Sequence, residues 1–414
     1  MTKSDDKRVP ALRFKGFTDE WEQRKLGDLT QKIKSYPISH DAEINTITGT
    51  KYIHYGDIHT GKLKRITNEK ILPNINDNNY IPLKSGDVIV ADASEDYKGI
   101  ADACVIDLMK RHYKIVSGLH TIVFRPNEKL KSDFLYTYFH TPIFKHYGYR
   151  VGTGLKVFGI TYNNLSNMEI KLPKIDEQNK VDKIINIVTN IITLQQRKVK
   201  LLELFRKAIH NNIFPEYGKE TPVIRHKKFA NKWNVVKFNT IYKKSTEKND
   251  LTYGEDKIIS VAKMYFKQEK NKSSQDYLKT YNVFKIGDIA FEGNRSEGFS
   301  HGRFVQNTIG NGIVSHVFDV FTPIKKDNLK YWKYAIHNEH VMKYVLVKST
   351  TKATMMNNLS SKNFLKQSIA VPSSEEMNTI AKILQDLDNQ INITNNKINY
   401  LQNMKKFLLQ NMFI

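Results

Sequence analysis

Apolar residues recur at intervals of three and four along two segments of the chain. After Pro173 they are Val181, Ile184, Val188, Ile191, Leu202, Phe205 and Ile209. After Pro372 they are Ile380, Leu384, Leu387, Ile391, Ile398, Leu401 and Leu408. This spacing puts side chains on one face of an α-helix, so the pattern predicts long helices over 174–213 and 373–414. Neither segment contains Gly or Pro, and each helix spans roughly 50 Å at about 1.5 Å per residue. Acidic pairs, Asp176-Glu177 and Glu375-Glu376, fill the first turns, where the helix dipole favours them. Ser373 with Glu376 has the pattern of a capping box, which Lys174 cannot form in the first helix. A stripe this long needs a partner in water. The two stripes are expected to pack on each other as an antiparallel pair, with weak points at Gln195, Lys198, Thr394 and Lys405. The competing arrangement packs each helix on its own domain.

Elsewhere the pattern is shorter. Val88-Ile-Val90, 121–124, Ile289-Ala-Phe291 and 317–321 have the composition of strands, and 133–140 that of a short helix. Gly-Asp at 86–87 and again at 287–288 introduces a strand each time.

These echoes belong to a duplication. Pro10, Arg13, Lys15, Phe17, Trp21 and Lys25 return as Pro222, Arg225, Lys227, Phe229, Trp233 and Lys237, in a chain with only 3 Trp. Tyr80, Lys84, Gly86 and Asp87 return as Tyr281, Lys285, Gly287 and Asp288. Ile115-Val-Ser117 returns as Ile313-Val-Ser315, Asn163-Asn-Leu-Ser166 as Asn357-Asn-Leu-Ser360, and Leu172-Pro173 with Glu177 as Val371-Pro372 with Glu376. Two long copies are not a solenoid, which needs more and shorter repeats. The order is domain, helix, domain, helix: 1–173, 174–213, 214–372 and 373–414. The fold class is therefore α+β, two duplicated mixed domains each followed by a long helix.

The 414 residues carry 65 Lys and Arg against 42 Asp and Glu, a formal charge of +23. The surplus is concentrated in the two non-helical portions, above all 214–372. It calls for a polyanionic partner, nucleic acid before an anionic membrane surface, although a Lys-, Asn-, Ile- and Tyr-rich composition also raises the Lys count. Cys104 is the only cysteine, which excludes disulfides within the chain and Cys-rich zinc sites. The first residues lack the apolar stretch of a signal peptide, and no apolar run reaches the roughly 18 residues of a membrane span. The expected location is the cytoplasm.

Motifs for catalysis are weak. Gly152-Thr-Gly154 does not open a long helix after a strand, as a dinucleotide site would. Gly293-Asn-Arg-Ser-Glu-Gly298 is followed by Phe299-Ser300, without the P-loop Lys. Asp87 with Asp96 and Lys98 superficially fits a metal-dependent nuclease, but the counterpart at Asp288 lacks the Lys. The 13 His form no close metal-ligand pattern. The chain is expected to bind no cofactor and no metal and to have no catalytic site; a stand-alone nuclease is the alternative.

Residue types suited to DNA are easier to find. Cations meet phosphates, while Arg, Lys, Asn, Gln and aromatic groups reach base edges. Tyr52, His54 and Tyr55 interleave aromatic and polar groups, and Lys98 follows the strand after Gly86-Asp87. Arg150, Thr153 and Lys156 surround glycines that permit close backbone approach. In the second copy the candidates are Lys263, Asn294, Arg295, Lys348, Thr351 and Lys352. For each segment alone an ordinary solvated loop is the competing reading. As a pair they sit at corresponding repeat positions yet differ in sequence, as two readers of different bases would, and as plain divergence would too.

The Trp21 and Trp233 segments, the Lys-x-Gly-Asp turns, the helix starts at Glu177-Gln178 and Glu376, and the order domain–helix–domain–helix resemble the specificity subunits of type I restriction–modification enzymes over nearly the full length. Met377, where the first copy has Gln178, departs from the pattern at one local contact. The resemblance implies that each domain is a target-recognition domain reading half of a split, asymmetric double-stranded DNA site. It implies that the paired helices form a coiled-coil spacer setting the unread interval. Two methyltransferase subunits using S-adenosylmethionine and two ATP-driven, Mg2+-requiring restriction subunits are the implied partners; those cofactors belong to them and not to this chain.

Overall fold

A computed structural model describes residues 8–94, 101–110, 112–154, 158–267, 274–296, 298–352 and 356–414. The chain divides into two compact units. The first comprises Met1–Gln196 with Asn396–Ile414, the second Arg197–Asn395. Each therefore holds one mixed domain, the start of the helix that follows it, and the end of the other copy's helix.

In the first unit a five-stranded sheet has the order β2 (Thr30–Ile33), β10 (Thr121–Pro126), β6 (Val88–Ala91), β8 (Ala103–Ile106), β4 (Arg65–Ile66). Only the β4–β8 pair is parallel. A second sheet places β3 (Thr50–Ile53) between β5 (Asn74–Ile75) and β9 (Lys114–Ser117). The domain is closed by pairing its first strand, β1 (Glu22–Lys25), with its last, β12 (Glu169–Leu172). A small ribbon pairs β7 (Ala93–Ser94) with β11 (Phe158–Gly159). Helices α1 (Leu26–Leu29), α2 (Tyr55–His59), α3 (Ser132–Tyr138), α4 (Pro142–Val151) and α5 (Tyr162–Ser166) complete the domain.

The second unit repeats this plan with shorter strands. Its main sheet is β14 (Tyr242–Lys244), β21 (Val320–Pro323), β18 (Ile289–Glu292), β19 (Arg303–Gln306). Smaller ribbons pair β15 (Ile259–Ser260) with β16 (Tyr265–Phe266), β17 (Asn282–Phe284) with β20 (Gly312–Val314), and β22 (Thr350–Lys352) with β23 (Asn357–Leu359). Strand β13 (Asn234–Lys237) meets β24 (Ser368–Val371) as β1 meets β12. The helices are α7 (Gln275–Lys279), α8 (Leu329–Ala335), α9 (Glu339–Ser349) and α10 (Ser361–Lys366).

The long helices are α6 (Ile175–Asn212) and α11 (Ser374–Asn411), 38 residues each. Both expected packings occur. At its start each helix packs on its own domain: Val181 and Ile185 join the core of Trp21, Phe134 and Leu172, and Ile380 and Leu384 join that of Trp233, Tyr331 and Ile369. Within the first unit Val188 and Ile192 of α6 also pack on Leu401 of α11. At its end each helix enters the other copy's core. Phe413 lies against Trp21, Phe134 and Tyr138, and Phe214 lies against Tyr331. Full burial of such a ring contributes about 2–3 kcal/mol. Thr394, a weak point of the stripe, is buried with its hydroxyl donated to the Gln390 carbonyl. Phe205 departs from expectation: it is exposed with Leu201 and Leu204, on a second stripe of the helix.

Equivalent ion pairs tie the N-terminal segment of each copy to its helix. Arg13 donates from Nε and Nη2 to Glu177 at 2.7 and 2.8 Å, and Arg225 does the same to Glu376 at 2.7 and 2.8 Å. This bidentate geometry suits Arg and not Lys. It also modifies the expected capping box: Ser373 Oγ accepts from the Glu376 N–H, but the Glu376 carboxylate is taken by Arg225. Gln178 is a polar latch, donating to the carbonyls of Lys129 and Pro173 and accepting from the Lys131 N–H. Met377 replaces all three bonds with burial in the second core.

Two expectations fail on register. The second copy's strand begins at Val320, not 317, because the Phe318 N–H closes a turn on the Ser315 carbonyl. The Asn-Asn-Leu-Ser echo is not structurally equivalent: Asn163 to Ser166 lie in α5, whereas Asn357–Leu359 is strand β23. The counterpart of α5 is α10, since each is capped by a hydroxyl, Thr161 or Ser360, and packs its buried Leu165 or Phe364 into the core.

Candidate nucleic-acid interface

Both units build one edge in the same way, starting from the Gly-Asp turn. Gly86 and Gly287 take φ of +92° and +91°, a region open to Gly and costly for other residues. Asp87 then accepts from the Lys84 N–H, and Asp288 from the Lys285 N–H. Beyond this point the copies differ. The buried Asp87 is held by Arg125, whose Nε and Nη2 donate at 2.7 Å each. That carboxylate is fully used in the scaffold. At Asp288 a threonine, Thr322, occupies the position of Arg125, Oδ1 has no protein partner, and burial pushes the carboxyl up to about 6.

At the far end of the strand the first unit assembles four segments around Asp92. The Asp92 N–H donates to the His120 carbonyl at 3.0 Å, and its carbonyl accepts from Ile160 at 2.8 Å. His120 Nδ1 lies 3.1 Å from Asp92 Oδ1, and the His120 ring meets Tyr55 edge-on at 5.3 Å. Tyr55 in turn packs on His54, and His54 on His40, with ring centroids at 4.6 and 3.7 Å. Thr153 and Gly159 exchange backbone hydrogen bonds of 3.0 and 2.8 Å, narrowing the hairpin that leads to Ile160.

The equivalent end of the second unit is Gly293. Its carbonyl accepts from the Asn357 N–H at 2.9 Å, and a Cβ there would lie 2.2 Å from the Asn357 oxygen, so only Gly fits. The exposed Asn294 and Arg295 follow directly. The β22–β23 hairpin alongside presents Thr351 and Lys352, which are exposed. Arg303 braces the assembly: Nε donates to Glu292 at 2.6 Å, Nη2 donates to the Ala262 carbonyl at 3.1 Å, and the guanidinium covers Phe299. The turn carrying Lys263 is thereby tied to the same edge.

The structure brings together His54, Tyr55 and Thr153 in one unit, and Lys263, Asn294, Arg295, Thr351 and Lys352 in the other. Arg150 and Lys348 occupy the last turns of the equivalent helices α4 and α9. Arg150 is exposed over the Tyr147 ring, while Lys348 donates to the Tyr217 hydroxyl at 2.8 Å. Tyr52 is not at the surface. It lies in β3, fully buried between neighbouring strands, and its hydroxyl donates to Glu43; burial pushes the phenol up. His54 is also mostly buried. Its Nδ1 accepts from the Gly56 N–H as the cap of α2, and burial together with His40 holds its pKa below the ordinary value. Lys98 and Lys156 lie outside the described residues. Sequence reasoning missed His40, Asp92, His120, Phe299 and Arg303, which are far apart in the chain and carry no shared motif. Among the described residues no group of His, Cys, Asp and Glu could hold a metal ion, and no helix is long and apolar enough to cross a membrane.

This duplicated architecture agrees with comparisons to known proteins. The type I restriction modification DNA specificity domain matches twice, over residues 18–204 and 206–403, and the chain belongs to that family. It is 22% identical to the MjaVIII type I restriction enzyme specificity subunit of Methanocaldococcus jannaschii, covering 94% of this chain and 91% of that protein. Its fold is similar to the S subunit of a type I restriction–modification system from M. genitalium, with a TM-score of 0.56, 11% identity and coverage of 98% and 99% of the two chains. A chain from a type I system solved to describe complex assembly and conformational transition also has a TM-score of 0.56, with 16% identity and coverage of 94% and 96%. The chain is thus a DNA-recognition component of the type I class.

Proposed function

We infer that this chain reads a double-stranded DNA site in two unlike halves, one with each unit, and directs adenine methylation and restriction by partner subunits. The observation that carries this reading is one edge built twice on a common scaffold with different side chains: Asp92, His120 and Tyr55 in one copy, Asn294, Arg295 and Lys352 in the other. Cations along both edges supply the sequence-independent attraction to phosphate. Two methyltransferase and two restriction subunits would complete the enzyme, with S-adenosylmethionine, ATP and Mg2+ bound by them and no catalysis by this chain. The second apolar stripe supports such partners. Ile187, Leu194 and Leu201 of α6, and Ile393, Tyr400 and Phe407 of α11, are exposed at seven-residue intervals, and exposed apolar rows of this kind mark protein contacts.

Mapping methylated adenines in the host genome with and without the gene tests the reading. The expected result is a split, asymmetric motif that loses methylation when the gene is removed. An unchanged methylome would refute it, and cleavage of DNA by the purified chain with Mg2+ alone would favour a nuclease instead.

A further inference from the structure

The two edges share a scaffold but not their chemistry. At the same step beyond the buried aspartate of the Gly-Asp turn, the first unit has Asp92 and the second has Gly293. Asp92 is a carboxylate on a strongly basic protein, its side chain 31% exposed and paired only with the 49%-exposed His120 among the described contacts. Burial raises its pKa, partly offset by His120. His120 adopts a left-handed conformation, φ 57°, which costs some strain in any residue other than Gly, although His, Asn and Asp adopt it more readily than most. If only the turn were needed, Gly would hold the backbone with less strain. Strain of this kind concentrates where a side chain is held for use.

We propose that the Asp92–His120 pair is a base-reading element of the first unit and that it selects an exocyclic amino group, on adenine or cytosine, in its half of the site. The inference rests on the DNA-reading function proposed above. A carboxylate near the duplex is repelled by phosphate, so it is useful only at a base edge, where it accepts from adenine N6 or cytosine N4 in the major groove. The imidazole adds to this preference. In the neutral tautomer that donates Nδ1–H to the carboxylate, an imidazole here presents Nε2 as a second acceptor. The Tyr55 ring flanks the pair and is backed in turn by His54 and His40; His40 is 60% exposed, its Nδ1 engaged by Glu43. Nearby charged and titratable groups are thus Glu43, His54 and Asp57, the last paired with Lys62. The second unit, with Gly293 here and Asn294 and Arg295 beyond, has an amide and a guanidinium in place of the carboxylate, of which Arg suits guanine and Asn suits adenine.

The test uses the complete complex with its methyltransferase subunits, selecting sites from randomised duplexes with wild type, Asp92→Asn and His120→Asn. Asparagine at 92 keeps the shape but adds a donor, and asparagine at 120 tolerates the left-handed backbone. Each variant is expected to lose about tenfold or more in discrimination at one base pair of one half-site, with the other half-site unchanged. Wild-type preferences at every position in both variants overturn the inference while leaving the proposed function standing. If Asp92→Asn prevents assembly, His120→Asn decides on the same criterion. A wild-type complex that selects no split site removes the proposed function, and this inference with it.

Discussion

The unpaired carboxylate at Asp288 predicts that removing one charge stabilises the second unit, and only above a certain pH. In the folded state burial pushes the carboxyl up to about 6, against 3.8 for the free side chain, outweighing its hydrogen bond from the Lys285 N–H. A raised carboxyl pKa means that the folded state holds the proton more tightly than the unfolded state. Below about pH 4 both states are protonated and there is no penalty. Between about 4 and 6 the folded state loses stability as pH rises, and above 6 the penalty is complete. Roughly two pKa units at about 1.4 kcal/mol each give a penalty of about 3 kcal/mol at neutral pH. Asp288→Asn is nearly isosteric and leaves an amide oxygen for the Lys285 N–H. It should therefore stabilise the second unit by about 1–3 kcal/mol at pH 7.5, with the gain vanishing near pH 4. Hydrogen exchange over 282–323, followed across that pH range in wild type and variant, reads the second unit directly. A variant that is neutral or destabilised at pH 7.5, or whose gain does not change with pH, would refute the reasoning. Thr322→Arg, which recreates the pairing of Asp87 with Arg125, should stabilise the same peptides at pH 7.5 and have its own loss at low pH.

Arg13→Ala leaves Glu177 buried without its partner and should cost about 3–5 kcal/mol in denaturant unfolding, with Arg13→Ala/Glu177→Gln recovering part of the loss. Lys263→Ala and Lys352→Ala should each weaken binding by a similar factor on all DNA sequences and lower the salt slope by about one unit, measured by titration at several salt concentrations; loss confined to one sequence would assign them to bases instead. A chain ending just after Phe214 should dimerise in sedimentation, because Ile213 and Phe214 resemble the Met412 and Phe413 that complete the first core, and with methyltransferase subunits it should modify a palindrome. A well-folded monomer would contradict this.

Much of the fold is written in the apolar spacing, because a helix stripe and the Gly-Asp turns are local. What was not legible depends on contacts distant in sequence. Hydropathy could not separate the buried Val188 and Ile192 from the exposed Leu194 and Leu201, since one helix carries two stripes. Repeated Asn in a biased composition produced the false equivalence at 163 and 357. At the candidate edge the Gly-rich and hairpin segments were visible in the sequence, whereas Tyr52 had the right chemistry in a strand, β3, whose every residue is buried. Asp92 and His120 gave no signal, because a dihedral angle and a contact across 28 positions, not a motif, define the pair.

The crossing of helix ends makes synthesis order matter. Trp21 and Phe134 are translated early, but the ring that covers them, Phe413, follows the whole of the second unit. The first domain emerging from the ribosome therefore carries an open apolar seat until Phe413 has been made. A messenger cut short, or a ribosome stalled before that codon, yields a product whose earliest-made core lacks this ring of its own. Within one chain that seat is filled only after the second unit has been made.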